Sequence, residues 1–185
     1  GTTDDTTAIQ AAIDKANSEG GNVKLQGKTY LITTSLKIPS KFVFEGVEGK
    51  TRIKMSAGVN EPILTHTGTI AGKTIIQNMS LEGNETGTEN HGIYINDYYS
   101  VIKNIEIIRC GGCGIKWHTT GAAGTLVENR IENVKVRDCK GTSFAFGEAD
   151  NNQITDGFLI NCISQGTKTN KALMISSGAG WVVNG

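Results

Sequence analysis

Three loops of the chain hold side chains suited to acid–base chemistry: Asn96-Asp97-Tyr98-Tyr99, His118-Thr119-Thr120 and Glu148-Ala149-Asp150. Two carboxyl groups held ~5 to ~9.5 Å apart can open a glycosidic bond, one as acid and the other as base or nucleophile. An imidazole near them can hold or deliver a proton at neutral pH. Asp97, Glu148, Asp150 and His118 are therefore the candidate catalytic groups. The competing reading is that they are solvated loop residues with only local hydrogen bonds. Tyr94 and Tyr98 have the flat faces needed to stack on sugar rings, and Lys116 can pair with a carboxylate or phosphate. The plainer alternative for these three is ordinary strand surface, or burial against another subunit.

Two further groups have ligand-like spacing. Cys110-Gly-Gly-Cys113 has the spacing of a redox or zinc pair. No second pair of that spacing exists, and Cys110 lines up with Cys139 and Cys162 as an inward column of small apolar groups, which favours burial. Glu85, Glu89 and His91 share one loop that could hold a cation, although a hydrated loop is the favoured reading of them. No metal site and no cofactor is expected, with calcium reserved for the case of a lyase.

The elements that would carry these residues are one helix and many short strands. Asp4 and Asp5 can cap a helix over residues 6–18, in which Ile9, Ala12, Ile13 and Ala16 recur at helical spacing before Gly20-Gly21 stops it. From Asn22 onward the period is two: Val23/Leu25, Leu36/Ile38, Phe42/Phe44 and Ile53/Met55 alternate with polar neighbours. A repeat then appears, centred on Asn78, Asn104, Asn133, Asp156 and Asn184, at separations of 26, 29, 23 and 28 residues. The alternation slips at each of these positions, as at a corner between two strands. A second strand follows in each unit: Gly92-Ile93-Tyr94-Ile95, Gly114-Ile115-Lys116-Trp117, Ser143-Phe144-Ala145-Phe146 and Ala172-Leu173-Met174-Ile175. Their outward positions are Tyr94, Lys116, Ala145 and Met174, and Trp117 faces the core with Ile115.

Irregular units of strand and corner at this period specify a parallel β-solenoid, in which each coil pairs only with its neighbours. Inward asparagines at equivalent corners are expected to form an amide ladder. Equivalent positions on successive coils stand roughly 4.8 Å apart. Asp97 and Glu148 would then lie about 10 Å apart over two coils, with His118 between them.

Composition closes off other classes. The 185 residues carry 18 basic and 18 acidic side chains, so the chain lacks the positive surplus of a sequence-independent nucleic-acid binder. No apolar run approaches the ~20 residues that span a bilayer, so membrane insertion is not expected. Four cysteines and 24 glycines do not make a disulfide scaffold.

The stretch Gly1-Thr-Thr-Asp-Asp-Thr-Thr-Ala-Ile-Gln-Ala-Ala-Ile-Asp-Lys-Ala16, followed by Gly-Gly-Asn-Val-Lys-Leu-Gln-Gly-Lys-Thr-Tyr-Leu-Ile and Leu-Lys-Ile-Pro-Ser-Lys-Phe-Val-Phe-Glu-Gly, resembles the N-terminal signature of the pectate-lyase-like superfamily. The likeness is close over residues 1–54 and looser over the asparagine-cornered coils at 74–185. That superfamily includes phage tailspikes and appendages, polysaccharide lyases, polygalacturonases and alginate epimerases. Of the polygalacturonase motifs only Arg52-Ile53-Lys54 is present, on an early coil, where it reads as strand residues. The Asp-Pro-His-Glu motif of the alginate epimerases is absent.

The resemblance implies an all-β, right-handed single-stranded parallel β-helix with a short N-terminal capping α-helix. It is expected to form one domain over residues 1–185, a segment of a longer chain in which Asn184-Gly185 opens another unit. The function it implies is a phage tailspike or appendage part that binds, and depolymerises, a bacterial surface polysaccharide. A homotrimer on the virion or outside the cell goes with that reading. The alternatives are a secreted polysaccharide lyase or glycosidase, and a spike segment that only adheres or supports.

Overall fold

A computed structural model describes residues 3–67, 72–118, 126–147, 154–166, 171–175 and 180–184. The helix covers Thr6–Ser18 and buries Ile9 and Ile13 against the first coil. Its two leading aspartates divide the work expected of a cap. Asp4 Oδ1 accepts the Thr6 amide at 2.9 Å, whereas the Asp5 side chain makes no cap bond. Asp5 instead joins the helix to the first coil: its amide donates to Leu31 O and its Oδ2 accepts from Leu31 N. Gly20, at φ 69°, takes the left-handed turn that ends the helix.

Every strand pairing among the described residues is parallel, and the strands stack into two main sheets. The short-strand sheet runs Leu36–Pro39, Leu64–Thr67, Ile93–Ile95, Ile115–Trp117, Phe144–Phe146 and Leu173–Ile175. The last four of these are the second strands expected from the repeat, in the expected register: Tyr94 opposite Lys116, Lys116 opposite Ala145, and Ala145 opposite Met174. The long-strand sheet is built on three eight-residue strands, Ile75–Glu82, Val101–Ile108 and Arg130–Arg137. The chain is a parallel β-helix. No helix among the described residues is long and apolar enough to cross a membrane.

The long strands show why the alternation slips. Ile75–Glu82 pairs with Val43–Glu45 over its first half and with Arg52–Met55 over its second, so it bends in the middle. At the bend stands Asn78 at φ 61°, with Asn104 and Asn133 at φ 53° and 51° in the equivalent places. Asparagine tolerates this left-handed conformation better than most side chains. One such residue turns the strand and lets Ile76 and Met79, on either side, both point inward.

The amide ladder is present. Nδ2 of Asn104 donates to Oδ1 of Asn78 at 2.9 Å, Asn133 to Asn104 at 3.1 Å, and Asn161 to Asn133 at 2.7 Å. Three features differ from the expectation. The fourth rung is Asn161, not Asp156, because Phe158 pairs with Arg130 and shifts the unit by five residues. Asn184 pairs with Ile160, so it stands one place short of the ladder. The amides also lie on the outer side of the corner, half-buried or exposed, since the inward room is already taken by the flanking aliphatic groups.

The core is one column of stacked aliphatic and aromatic side chains, including all eight alternating residues singled out in the early coils. Cys110 and Cys139 belong to it, with the Cys110 amide donating to Cys139 Sγ at 3.4 Å. Cys162 does not extend this pair, because it follows directly on the Asn161 rung and is only partly buried. All four cysteines are free thiols. The glycine before Ile115 is imposed by packing: a Cβ at Gly114 would sit 2.5 Å from Val136 Cγ1 and 2.6 Å from Ser143 O.

Candidate functional site

Four side chains meet on the outward side of the short-strand sheet, two from its strands and two from the flanking loops. Tyr94 and Lys116 are cross-strand neighbours, and Lys116 Nζ lies 5.5 Å from the centre of the Tyr94 ring. His91, one residue before the glycine that opens the strand, stacks on Tyr94 at 5.8 Å and 12°. His118, just past the end of the next strand, meets the same ring at 4.8 Å and 40°. Strand pairing sets Tyr94 and Lys116 side by side, and the two loops bring the imidazoles against the ring. Ala145 stands in the same row and is buried, as are both imidazoles, whereas Tyr94 and Lys116 are half-buried.

His91 has a defined proton arrangement. Its Nδ1 accepts the Cys113 amide at 2.8 Å, so the neutral ring carries its hydrogen on Nε2. That nitrogen faces Glu89 Oε2 at 3.4 Å. Glu89 and His91, two of the three residues weighed as a cation loop against a hydrated one, thus face each other. Among the described residues no cluster of three or more His, Cys, Asp or Glu is arranged to hold a metal ion.

Asp97 lies in a different setting from His118. Its carboxylate is fully buried at the corner after Ile93–Ile95. Thr74 Oγ1 donates to it at 2.6 Å, the Gly72 amide at 2.7 Å, Ser100 Oγ at 3.0 Å and Ser40 Oγ at 3.3 Å. The Asp97 carbonyl also accepts Trp117 Nε1 at 2.9 Å, which ties the corner to the core. Tyr98 packs edge-on against Tyr99 at 5.1 Å, beside this corner rather than against Tyr94. Glu148 and Asp150 lie outside the described residues. Of the seven candidates, Tyr94, Lys116 and His118 come together, and Asp97 and Tyr98 form a neighbouring group.

One member of that second group has no counterpart among the sequence-derived candidates. His66 Nε2 lies 2.8 Å from Ser40 Oγ and 3.8 Å from Asp97 Oδ2, with its side chain almost wholly buried. Burial pulls its pKa below the ordinary histidine value, against the opposing pull of the Asp97 charge. The signal for it was available. His66 pairs with Ile38 in an inward column that continues as Ile95, Trp117 and Phe146. An imidazole in an otherwise apolar column requires a polar partner.

Comparison with known proteins can now be set beside this geometry. The family model for rhamnogalacturonase A/epimerase, pectate lyase-like, matches residues 1–184. The chain belongs to that pectate-lyase-like family. Its fold is shared with the A-module of Azotobacter vinelandii mannuronan C-5 epimerase AlgE4, at TM-score 0.80 and 19% identity, over 100% of this chain and 53% of that one. It is shared also with ORF18 of Geobacillus virus E2, at TM-score 0.65 and 18% identity, over 88% of this chain and 39% of that one. The pre-mature gene product 12 of bacteriophage phi29 matches at TM-score 0.65 and 17% identity, over 100% of this chain and 31% of that one. The pectate-lyase-like chain thus spans about half the length of the epimerase module and less of the phage proteins. Among curated proteins, none matches its sequence.

Proposed function

We propose that this chain is the β-helix part of a phage tailspike or appendage that binds and depolymerises a bacterial surface polysaccharide on its short-strand face. The observation that carries this reading is the cluster of His91, Tyr94, Lys116 and His118. An aromatic ring backed by imidazoles offers a sugar an apolar face, and the ammonium beside it takes a carboxylate or phosphate. In this reading His118, with Glu148 and Asp150, supplies proton transfer at the bound glycan, Tyr98 extends the contact, and Asp97 holds the corner beneath. Homotrimer formation and a place on the virion or outside the cell complete the proposal. Family membership and fold relatives among phage proteins support it.

A second reading is supported by the likeness to a mannuronan C-5 epimerase module over the whole chain. There the protein is a secreted enzyme acting on a uronate polymer as a monomer, with calcium as a possible requirement of a lyase-type reaction. The test uses the full-length protein. Its mass is measured by light scattering, and the same sample is assayed for reducing ends and for ultraviolet-absorbing unsaturated products on bacterial surface polymers and polyuronates. A trimer that shortens a surface polymer is the expected result. A monomer active only on a polyuronate would sink the tailspike reading and leave the second.

A further inference from the structure

The other sheet carries a charge cluster that the short-strand face does not use. Glu82, at the end of Ile75–Glu82, has a side chain only 3% exposed. Three cations converge on it. Arg52 Nη1 lies 3.0 Å from Oε2, Lys54 Nζ lies 3.3 Å from Oε1, and Arg109 Nη2 contacts Oε1. Arg52 and Lys54 are alternate residues of one strand, in register with Ser80 and Glu82 of the next, so both must project on the same side.

One cation would be enough to neutralise a carboxylate. The second and third add little, because ion pairs that reach water contribute about 0–1 kcal/mol each and the cations repel one another. Each of the three side chains is between 42% and 49% exposed, so their heads also face solvent. Each guanidinium has five donors, of which Arg52 and Arg109 each direct one to Glu82. A cleft of about 210 Å³ opens beside them, lined by Lys54, Glu82, Asn84, Glu85 and Arg109 among others. Arg52 lines the adjoining groove of about 440 Å³, which runs past Glu48, Asn104, Glu106, Asn133 and Lys135. Among the described residues, Glu85 is the other carboxylate lining the cleft, and the ion pairs of these cations run to Glu82 rather than to it.

We propose that Arg52, Lys54 and Arg109 form a subsite for an anionic oxygen group, a carboxylate or phosphate carried on a polysaccharide, on the long-strand sheet. The buried Glu82 holds the three cations in place and sets their positions, and the remaining fork donors meet the ligand. The identity of the carrier as a glycan rests on the function proposed above, whereas the anion subsite does not.

The test is calorimetric titration of the full-length protein with inorganic phosphate and with a galacturonate trimer. Arg109→Gln and Lys54→Gln should each weaken binding about tenfold. Glu82→Gln should tighten it severalfold, because the amide oxygen still accepts from the donors that Glu82 positions while the competing negative charge is gone. A merely structural ion network predicts no such gain. Tighter binding of the trimer identifies a uronic acid as the source, and tighter binding of phosphate identifies a phosphate-bearing glycan. Should Arg109→Gln fail to fold, Lys54→Gln and Glu82→Gln still decide the matter. Phosphate binding that responds to these changes while no polysaccharide binds would uphold the subsite and remove the proposed function. Absence of binding by both anions, or affinity indifferent to all three substitutions, overturns the subsite.

Discussion

Asn133 donates from Nδ2 to Oδ1 of Asn104 at 3.1 Å across 29 residues of sequence, and both stand in the left-handed backbone region. The same side chain therefore does two things at each corner. Its tolerance of positive φ bends the strand, and its amide, both donor and acceptor, bonds the coil before and the coil after. Neither Asp nor Gly supplies both.

Substitution of this residue separates the two roles. Asn104→Ala loses both ladder bonds and puts at positive φ a residue that tolerates it less well than asparagine, whereas Asn104→Gly loses the bonds but adopts positive φ freely. Alanine should cost about 2–3 kcal/mol, with glycine closer to 1–2 kcal/mol. Urea denaturation of the two variants measures the difference. Equal costs would show that backbone conformation plays no part.

Asp97→Asn places an amide donor where Thr74, Ser100, Ser40 and the Gly72 amide all donate. Some donors must then go unmet in a buried corner, at about 2–4 kcal/mol. A lower melting temperature is the expected result. A variant that melts like the parent would mean that the corner can rearrange around a neutral group.

The buried His66 gives a pH dependence with a definite sign. Burial lowers its folded pKa below the ordinary value of 6.5, so the unfolded chain binds the extra proton more readily. Stability is therefore full above pH 6.5 and falls as pH drops below it, until the folded form also protonates. His66→Gln should flatten this part of the stability curve between pH 7 and pH 5. Chemical denaturation at several pH values checks it, and a curve unchanged by the substitution would assign the dependence to another group.

On the short-strand face, Tyr94→Ala should weaken binding of a neutral or acidic polysaccharide about tenfold, which corresponds to loss of ~1.4 kcal/mol of stacking and contact. Lys116→Gln should weaken only the acidic polymer, and more so at low salt. Affinity measured on both polymers separates the two. Identical losses on the neutral polymer would mean that Lys116 acts through the Tyr94 ring rather than on the ligand.

Much of the fold was legible along the chain. The helix over Thr6–Ser18, the alternating pairs of the early coils and the registers of Tyr94, Lys116, Ala145 and Met174 all follow from local periodicity. The fourth ladder rung was not, because Asp156 and Asn161 both offer a polar side chain at φ near 50° and only pairing with Arg130–Glu132 chooses between them. His91 was noted as a possible ligand, yet its stacking on Tyr94 depends on a loop whose path no periodicity gives. His66 stood unremarked in a column whose apolar neighbours made it conspicuous.

What the amino-acid order determined by itself was the unit: a strand, an asparagine corner and a second strand, because side-chain alternation and left-handed tolerance are properties of a few adjacent residues. What only the tertiary structure decided was which units meet and what stands between them. Asp97 lies in a loop with two tyrosines, which reads as exposed, and becomes the most enclosed carboxylate among the described residues once residues 40, 66, 72, 74 and 100 close over it. Arg52, Lys54, Glu82 and Arg109 are scattered over three coils and become one charge cluster for the same reason. Burial and charge are sums over neighbours in space, and in a β-helix those neighbours come from the coils above and below rather than from the adjoining residues.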